Sequence, residues 1–398
     1  MLNSESHEFI EDEAQLESEE DIESLEQSSF SKAVVSANDW TTETIINQIN
    51  KGNIQLNPSF QRRDAWDTTR KSRFIESLIL GLPVPQIVLA ESKERRGAYI
   101  VLDGKQRLLS IRQFAAEEND QIYQQLKLNS LDIRGDLKGK SLVALKNDLD
   151  FFEDLSAFEN QPIRTVVIKN WPAENFLYHV FLRLNTGSVP LSPQELRQAL
   201  HPGPFVSFLD EESCKSTALK EILKSKKPDF RMRDAELLLR YFAFRNYLSE
   251  YSGTLKSFLD ESCKVLNNRW EEKRECIQKQ LINFEITHQF IKKIFGENSY
   301  RKWIGRNYET RFNRSVFDIM FLSFNDENVK KMSIGKEENI EAAFKELCSN
   351  SSDFRNSIET TTKSLTATHT RISQWISKLN EVIGSNIHVP ELKDNRII

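Results

Sequence analysis

The chain has 398 residues, of which 39% are hydrophobic and 28% charged, and its formal net charge is −5. This composition is typical of a globular protein with more than one core, and no apolar stretch approaches the roughly 18 residues that a membrane span requires. The acidic N-terminus lacks the basic and apolar segments of a signal peptide, so we expect a cytoplasmic protein without a membrane partner. Four widely spaced cysteines and six scattered histidines argue against a disulfide framework or a zinc site.

An acidic segment opens the chain. Residues 1–29 contain eleven Asp or Glu and no Lys or Arg, and without them 54 basic residues stand against 48 acidic ones. We predict a disordered tail over residues 1–38, because this segment offers little apolar area to bury. The tail either keeps the protein in solution or masks a basic groove. The mildly basic remainder is compatible with a polyanionic partner such as nucleic acid.

The segment 39–204 begins with two helical patterns and a hairpin pattern. Residues 40–52 predict a short amphipathic helix that Gly52 ends. A second helix is predicted from Asp67, a suitable N-cap, to Gly81. Two apolar stretches, 86–91 and 98–103, are separated by a charged turn and predict a β-hairpin.

The second half of this segment alternates in the same way. A helix is predicted from about Gln106 to Glu117, a strand over 163–170 and another helix from Pro172. A capping box from Ser192 to Glu195 predicts the start of the next helix. Short strands mixed with helices indicate an α+β domain over 39–204.

Beyond residue 204 the strand patterns disappear, and long helical periodicities predict a helical domain over 205–398. The stretch 324–340 is predicted to be a loop between helices. Two basic stretches lie in this half, 224–233 and 300–314, and the second interleaves Trp303, Tyr308 and Phe312 with its cations.

Three polar turns interrupt the apolar frame. In the first, Asp103-Gly104-Lys105-Gln106-Arg107, a helix that starts after Gly104 would aim free backbone N–H groups into the turn, and Arg107 could contact phosphate oxygens. The structural alternative is that Asp103 caps the helix and that Arg107 pairs with Glu76 or Glu117. The other two turns are "FQRRDAW" (60–66) and "RLNTGSVPLSPQELR" (183–197). Local spacing leaves both interpretations of the first turn open.

The three turns, in this order, resemble the N-terminal domain of GmrSD-type modification-dependent restriction proteins, whose signature is Asp-Gly-Gln-Gln-Arg or Asp-Gly-Lys-Gln-Arg. The similarity runs through "FQRRDAW", "FIESLILGLPVPQIVLAE", "YIVLDGKQRLLSI" and "FLRLNTGSVPLSPQELRQAL". It continues more loosely to about residue 260. The family is similar in fold to ParB and sulfiredoxin proteins, whose Gly-x-x-Arg turn contacts nucleotide phosphates. The resemblance therefore implies a ParB/sulfiredoxin-like, small mixed-sheet domain.

The resemblance also implies a function in prokaryotic anti-phage defence. It implies binding and hydrolysis of an NTP, either GTP or ATP, with Mg²⁺, and in some members coupling to DNA sensing or cleavage. Catalytic roles would fall to Asp103, Gln106 and Arg107. The nucleotide would be contacted by Gln61, Arg62, Gly104, Lys105, Arg107, Asn185, Thr186 and Gly187.

The chain departs from longer family members, which carry a C-terminal HNH nuclease domain with clustered His and Asn. Here the C-terminal half has only the isolated His201, His288, His369 and His388. We expect a metal-dependent nuclease to be absent or supplied by a partner protein, with the helical domain sensing DNA or that partner. The alternatives are a non-enzymatic ParB-like DNA-binding module, gripping DNA through its basic stretches, and a DNA nuclease built on Asp103. Whether the chain is an enzyme stays open, with an NTPase favoured.

Overall fold

The computed structural model describes residues 32–54, 56, 63–184, 192–360 and 362–398. Within these ranges the chain divides into two compact units. The first comprises residues 32–200 and the short segment 230–232, and the second comprises residues 201–229 and 233–398. The first unit contains a mixed sheet and the second is almost entirely helical, which confirms the predicted α+β class.

A four-stranded mixed sheet forms the centre of the first unit. Its strands, in the spatial order β1-β4-β2-β3, are β1 (Val34–Thr41), β2 (Ile87–Glu91), β3 (Tyr99–Asp103) and β4 (Pro162–Lys169). β4 is antiparallel to β1 and parallel to β2. β2 and β3 form an antiparallel hairpin, which confirms that prediction. β3 is an edge strand, and it ends at the first residue of the Asp103–Arg107 turn.

Both faces of the sheet are covered by helices. Side chains of a strand alternate between faces, so Ile87 and Leu89 of β2 lie in one apolar cluster while Val88 and Ala90 lie in the other. Helices on the first face are α1 (Thr42–Asn50), α2 (Thr68–Ile79), α3 (Lys105–Phe114), α4 (Leu142–Lys146) and α5 (Phe152–Asn160). The second face carries α6 (Glu174–Leu184) and α7 (Pro193–Leu200). The strand that leads into the polar turn is thereby held from both sides.

β1 begins earlier than the sequence analysis placed the folded domain. Residues 34–38, which were assigned to the acidic tail, are paired with β4, and Val34 lies opposite Lys169. Most of the β1 side chains are exposed. This strand is therefore held mainly by main-chain hydrogen bonds to β4 and less by side-chain burial. Because few of its side chains are buried, the sequence shows no alternation of apolar and polar residues here.

A buried carboxylate fixes the loop that follows α3. Glu76 of α2 accepts hydrogen bonds from the backbone N–H groups of Asp132, Ile133 and Arg134 at 3.2, 2.9 and 2.7 Å. Burial would raise the pKa of the Glu76 carboxyl. The three hydrogen bonds and the charge of Arg73 outweigh this effect, and the pKa lies below the usual 4.5.

Replacing Glu76 with glutamine is expected to lower the free energy of unfolding of the first unit by about 2 kcal/mol at pH 7, since hydrogen bonds to an ionised acceptor are lost. The pKa of Glu76 is lower in the folded than in the unfolded chain. The stabilisation is therefore present above pH 4.5 and is lost as the pH falls through the folded value. Urea unfolding of both proteins at pH 7 and at acidic pH measures the difference. A constant difference across this range would contradict the assignment.

The second unit is built from ten described helices and a short hairpin. The helices are α8 (Pro204–Lys215), α9 (Thr217–Ile222), α10 (Arg233–Tyr247), α11 (Leu255–Asn268), α12 (Trp270–Phe295), α13 (Arg314–Phe324), α14 (Glu327–Ser333), α15 (Glu337–Asn350), α16 (Ser352–Glu359) and α17 (Leu365–Ile383). The hairpin strands are β5 (Leu392–Lys393) and β6 (Arg396–Ile397). Among the helices of the described ranges, none is long and apolar enough to cross a membrane.

The prediction of a loop over 324–340 is wrong, because α14 and the start of α15 lie within it. Asp326 is the N-cap of α14, and its Oδ1 accepts hydrogen bonds from Asn328 N at 2.7 Å and Val329 N at 3.2 Å. Only Val329, Lys330 and Ser333 of this seven-residue helix are buried. A helix this short gives too few periods to be detected in a sequence.

Candidate functional site

The turn at the end of β3 opens a helix that has no side-chain cap. Gly104 is the N-cap of α3, with φ +94°, a left-handed conformation that glycine adopts readily. The first hydrogen bond of the helix runs from Leu108 N to Gly104 O at 2.9 Å. The backbone N–H groups of residues 105–107 therefore lie at the open, positive end of the helix. The predicted helix start directly after Gly104 is confirmed.

Arg107 folds back over this open end. Its Nη2 donates to Asp103 Oδ2 at 2.8 Å, and its guanidinium lies beside Gly104, where an added Cβ would come within 3.3 Å of Nε and Nη2. The structural alternative from the sequence is therefore wrong in both parts. Asp103 does not cap α3, and the ion-pair partner of Arg107 is Asp103 instead of Glu76 or Glu117. Glu76 is held by the backbone of residues 132–134.

Two polar atoms of this turn are buried without a hydrogen-bond partner in the part of the chain that the structure describes. They are Gln106 Oε1 and Arg107 Nε. The Arg107 side chain is only 8% exposed, so its guanidinium has lost most of its hydration. Leaving a buried donor unsatisfied costs about 1–3 kcal/mol, and a bound anion at the end of α3 would supply an acceptor.

The side chain of Lys105 contacts a different helix, α7. Its ammonium is buried and forms an ion pair with Glu195 Oε1 of α7. Glu195 Oε2 accepts from Ser192 N at 2.7 Å, and Glu195 N donates to Ser192 Oγ at 3.1 Å, which confirms the predicted capping box. Sequence reasoning found the cap but missed the ion pair. Lys105 as a nucleotide contact stays a prediction, and the observed partner gives it the role of joining the turn to α7.

The described end of the "FQRRDAW" segment is anchored on α2 and α3. Lys71 of α2 contacts Asp64 Oδ2 and donates to Gln113 Oε1 of α3 at 2.7 Å. Burial lowers the pKa of the Lys71 ammonium to about 8, so it is still charged at pH 7 and pairs with Asp64 as an ion. Trp66 packs edge-on against Phe74, with ring centroids 5.6 Å apart. Lys71 therefore links this segment to α3, the helix that carries the candidate site.

Five predicted site residues lie outside the described residues, so their contacts with the turn stay predictions. They are Gln61, Arg62, Asn185, Thr186 and Gly187. The described neighbours of the second gap, Leu184 and Ser192, end α6 and precede α7, and both helices pack on the same face of the sheet as Leu102 of β3.

One polar residue near the turn was missed. Gln198 lies three residues after Glu195 on α7, so the two side chains share a helix face. Both amide atoms of Gln198 are buried and have no hydrogen-bond partner among the residues with described positions. The sequence does not reveal this, because a glutamine in a helical pattern is equally typical of an exposed surface position.

The donor set fits a phosphate better than a protein-bound metal ion. An open helix end, Arg107 Nε and the nearby Gln106 are suited to an anion. Over the described ranges, no group of three or more His, Cys, Asp or Glu side chains could hold a metal ion. Asp103 is the one carboxylate in the turn, so Mg²⁺ would fit here only with phosphate oxygens as further ligands.

Residues 42–202 match the family model described as the GmrSD restriction endonuclease, N-terminal domain. The matched range contains the three polar turns of the sequence analysis, and all of the sheet except β1. No curated protein and no solved structure matches the chain.

Proposed function

We propose that the chain is a restriction-like defence protein, because residues 42–202 match the GmrSD N-terminal domain, and that it binds and hydrolyses an NTP at the turn between β3 and α3. The single observation that carries the proposal is the buried Arg107 guanidinium, whose Nε faces no described acceptor at an uncapped helix end. Such an arrangement is suited to phosphate oxygens, which accept from an arginine and from backbone N–H groups together.

The proposal gives each residue of the turn a role. Gly104 lets the phosphate approach the backbone, because a Cβ there would crowd the guanidinium of Arg107 at 3.3 Å and would be strained at φ +94°. Arg107 and the N–H groups of α3 bind the phosphate. Asp103, whose side chain is 27% exposed, has a second carboxylate oxygen that can orient a water molecule or bind Mg²⁺ together with the nucleotide.

Gln106 and Asp103 would act on the attacking water. Gln106 Oε1 is a buried acceptor without a described donor, and an amide oxygen of this kind can orient a water by accepting one of its protons. The ion pair between Asp103 and Arg107 fixes the direction of the carboxylate. When bound, Mg²⁺ would neutralise charge on the phosphates.

Phosphate release from each NTP by the purified chain, with Mg²⁺ present, tests the proposal. We expect release from at least one NTP, and a lower turnover for Asp103→Asn with a smaller effect on nucleotide affinity, because asparagine can still accept from Arg107 but lacks the charge that acts on water and Mg²⁺. Nucleotide affinity is measured separately with a fluorescent analogue. A chain that neither binds nor hydrolyses any NTP would overturn the proposal.

A second candidate function is a DNA-binding module that does not hydrolyse nucleotide. It is favoured by unpaired cations in the two basic stretches of the second unit, such as Lys224 and Arg301, which have no ion-pair partner among the described residues. DNA binding without any nucleotide turnover, unchanged by substitutions at Arg107, would support this candidate over the first.

A further inference from the structure

A cavity of about 80 Å³ lies in the second unit, far more than the roughly 10–15 Å³ that one water requires. The two basic stretches meet at this cavity. Lys224, from the stretch 224–233, lines it on one side, and Tyr300, Arg301 and Phe312, from the stretch 300–314, line it on another. Lys224 and Arg301, which are distant in sequence, therefore line the same cavity.

A hydrogen-bonded chain forms one wall of the cavity. Tyr300 Oη and His288 Nδ1 are 2.8 Å apart, and His288 Nε2 lies 3.2 Å from Glu221 Oε2. Burial raises the pKa of the Tyr300 hydroxyl, so it keeps its proton and donates to Nδ1. His288 Nε2 then donates to Glu221, which also accepts from Lys292 Nζ at 2.9 Å. The hydrogen bonds fix the side chains of this wall, and the charge of the Glu221 carboxylate is balanced by Lys292.

The remaining charge of the lining is positive. The lining contains three cations, Lys224, Lys292 and Arg301, and two carboxylates, Glu221 and Glu297. Burial lowers the pKa of His288 below 6.5 and outweighs the attraction of Glu221, so the imidazole is neutral at pH 7. Lys292 is paired with Glu221, whereas Lys224 and Arg301 have no ion-pair partner in the described ranges. Two cations and one carboxylate, Glu297, are left, so the lining keeps a net charge of +1 for a ligand.

Backbone conformations at the cavity are unusual. Lys224 has φ +51° and Tyr300 has φ +62°, in the left-handed region that costs a residue with a side chain about 1–3 kcal/mol. Both residues line the cavity. Strain of this kind persists where the surrounding structure fixes it, and it is concentrated at binding sites.

The aromatic side chains of the stretch 300–314 are used in packing. Tyr308 and Phe312 are buried, and Trp303 packs edge-on against Tyr308 with ring centroids 5.2 Å apart. These rings therefore do not form a platform on which bases could stack. The features that remain for recognition are cations and a cavity of small volume, which suit a single phosphate group and carry no base preference.

We propose that this cavity binds one phosphate group of a DNA backbone through Lys224 and Arg301. The choice of DNA rests on the proposed function, since restriction acts on DNA, whereas the anion site itself rests on the charges around the cavity. Free nucleotide or inorganic phosphate has the same chemistry, and the experiment below separates these sources from DNA.

The double variant Lys224→Gln/Arg301→Gln tests the proposal in the full chain. Binding of a labelled 30-base-pair duplex is measured over a range of salt concentrations without nucleotide. For the double variant we expect weaker binding and a slope of log K against log salt that is shallower by about 0.9, because one neutralised phosphate contributes about that much. The loss should be equal for two unrelated DNA sequences, since backbone contacts carry no sequence information.

The matched control is Arg274→Gln/Lys279→Gln. These two exposed cations lie on α12, and Lys279 is about 20 Å along the helix from Lys292. The control has the same change in net charge and should keep the wild-type slope. Lys224→Glu serves as a second variant, because Lys224 is exposed and we expect its replacement to leave the fold intact, which a thermal melt checks.

Three outcomes would overturn the proposal: equal slopes for the double variant and the control, no effect of Lys224→Glu, or displacement of DNA from the site by millimolar inorganic phosphate or NTP as readily as by unlabelled DNA. The last outcome would assign the cavity to a free phosphate compound. NTP hydrolysis is measured separately on the same variants and should be unchanged. DNA binding is measured without nucleotide, so its result can be interpreted even if the wild-type protein hydrolyses no NTP.

Discussion

Replacing Arg107 with alanine is expected to lower NTP hydrolysis by at least about 100-fold and to weaken nucleotide binding. The reason is that a buried guanidinium, positioned beside Gly104 and fixed by Asp103, is removed from the phosphate. Lysine at this position keeps the charge but cannot form two parallel hydrogen bonds, so Arg107→Lys should recover only part of the activity. Phosphate release and the affinity for a fluorescent nucleotide measure the two effects.

The control for Arg107 is Arg73→Ala. Arg73 is half-exposed and pairs with Asp132 on the surface of the same unit, so its loss should change neither turnover nor affinity. A thermal melt of each variant shows whether the fold is kept. Full hydrolysis by a folded Arg107→Ala protein would contradict the assignment of the turn as a phosphate site.

Replacing Glu195 with alanine is expected to destabilise the first unit by about 3–5 kcal/mol, because the buried Lys105 ammonium loses its ion pair with the Glu195 carboxylate. The same substitution removes the acceptor of the capping box at Ser192. The double variant Lys105→Met/Glu195→Gln removes both charges and keeps an amide oxygen for the cap, so it should regain most of the stability. Urea unfolding, with hydrogen exchange of peptides from α3 and α7, locates the effect.

A surface ion pair provides the comparison. Lys127 and Glu118 pair at 3.3 Å, and both side chains are more than half exposed, so Glu118→Ala should change the free energy of unfolding by less than about 1 kcal/mol. If Glu195→Ala and Glu118→Ala had equal effects, the pair of Lys105 and Glu195 would contribute no more than a surface contact.

Local features of the site were predictable because they depend on residues close together in sequence. The helix start after Gly104 and the capping box from Ser192 to Glu195 each need only a few adjacent residues. The partner of Lys105 lies 90 residues away, and neither periodicity nor spacing connects the two positions. The pairing of Arg107 with Asp103 competes with several other carboxylates in range, and only the three-dimensional structure decides among them.

The same limit applies to the fold. The buried hairpin of β2 and β3 was readable from two apolar runs, whereas β1 is mostly exposed and its side chains carry no strand pattern. The five-residue helix α4 and the helix α14 are too short for helical periodicity to appear. Elements held mainly by tertiary contacts were therefore the ones that sequence patterns missed.

The order of strands in the sheet has a consequence for synthesis of the protein on the ribosome. β4 lies between β1 and β2, so Val34 cannot pair until Lys169 has been synthesised, and Ile87 cannot pair with β4 until Thr165 has been synthesised. Pairings so distant along the chain form slowly, because a long loop must close first. A nascent chain that ends before β4 can form the β2–β3 hairpin and the Asp103–Arg107 turn but not the sheet that supports them. The candidate nucleotide site should therefore form only after residue 169 and α7 have left the ribosome.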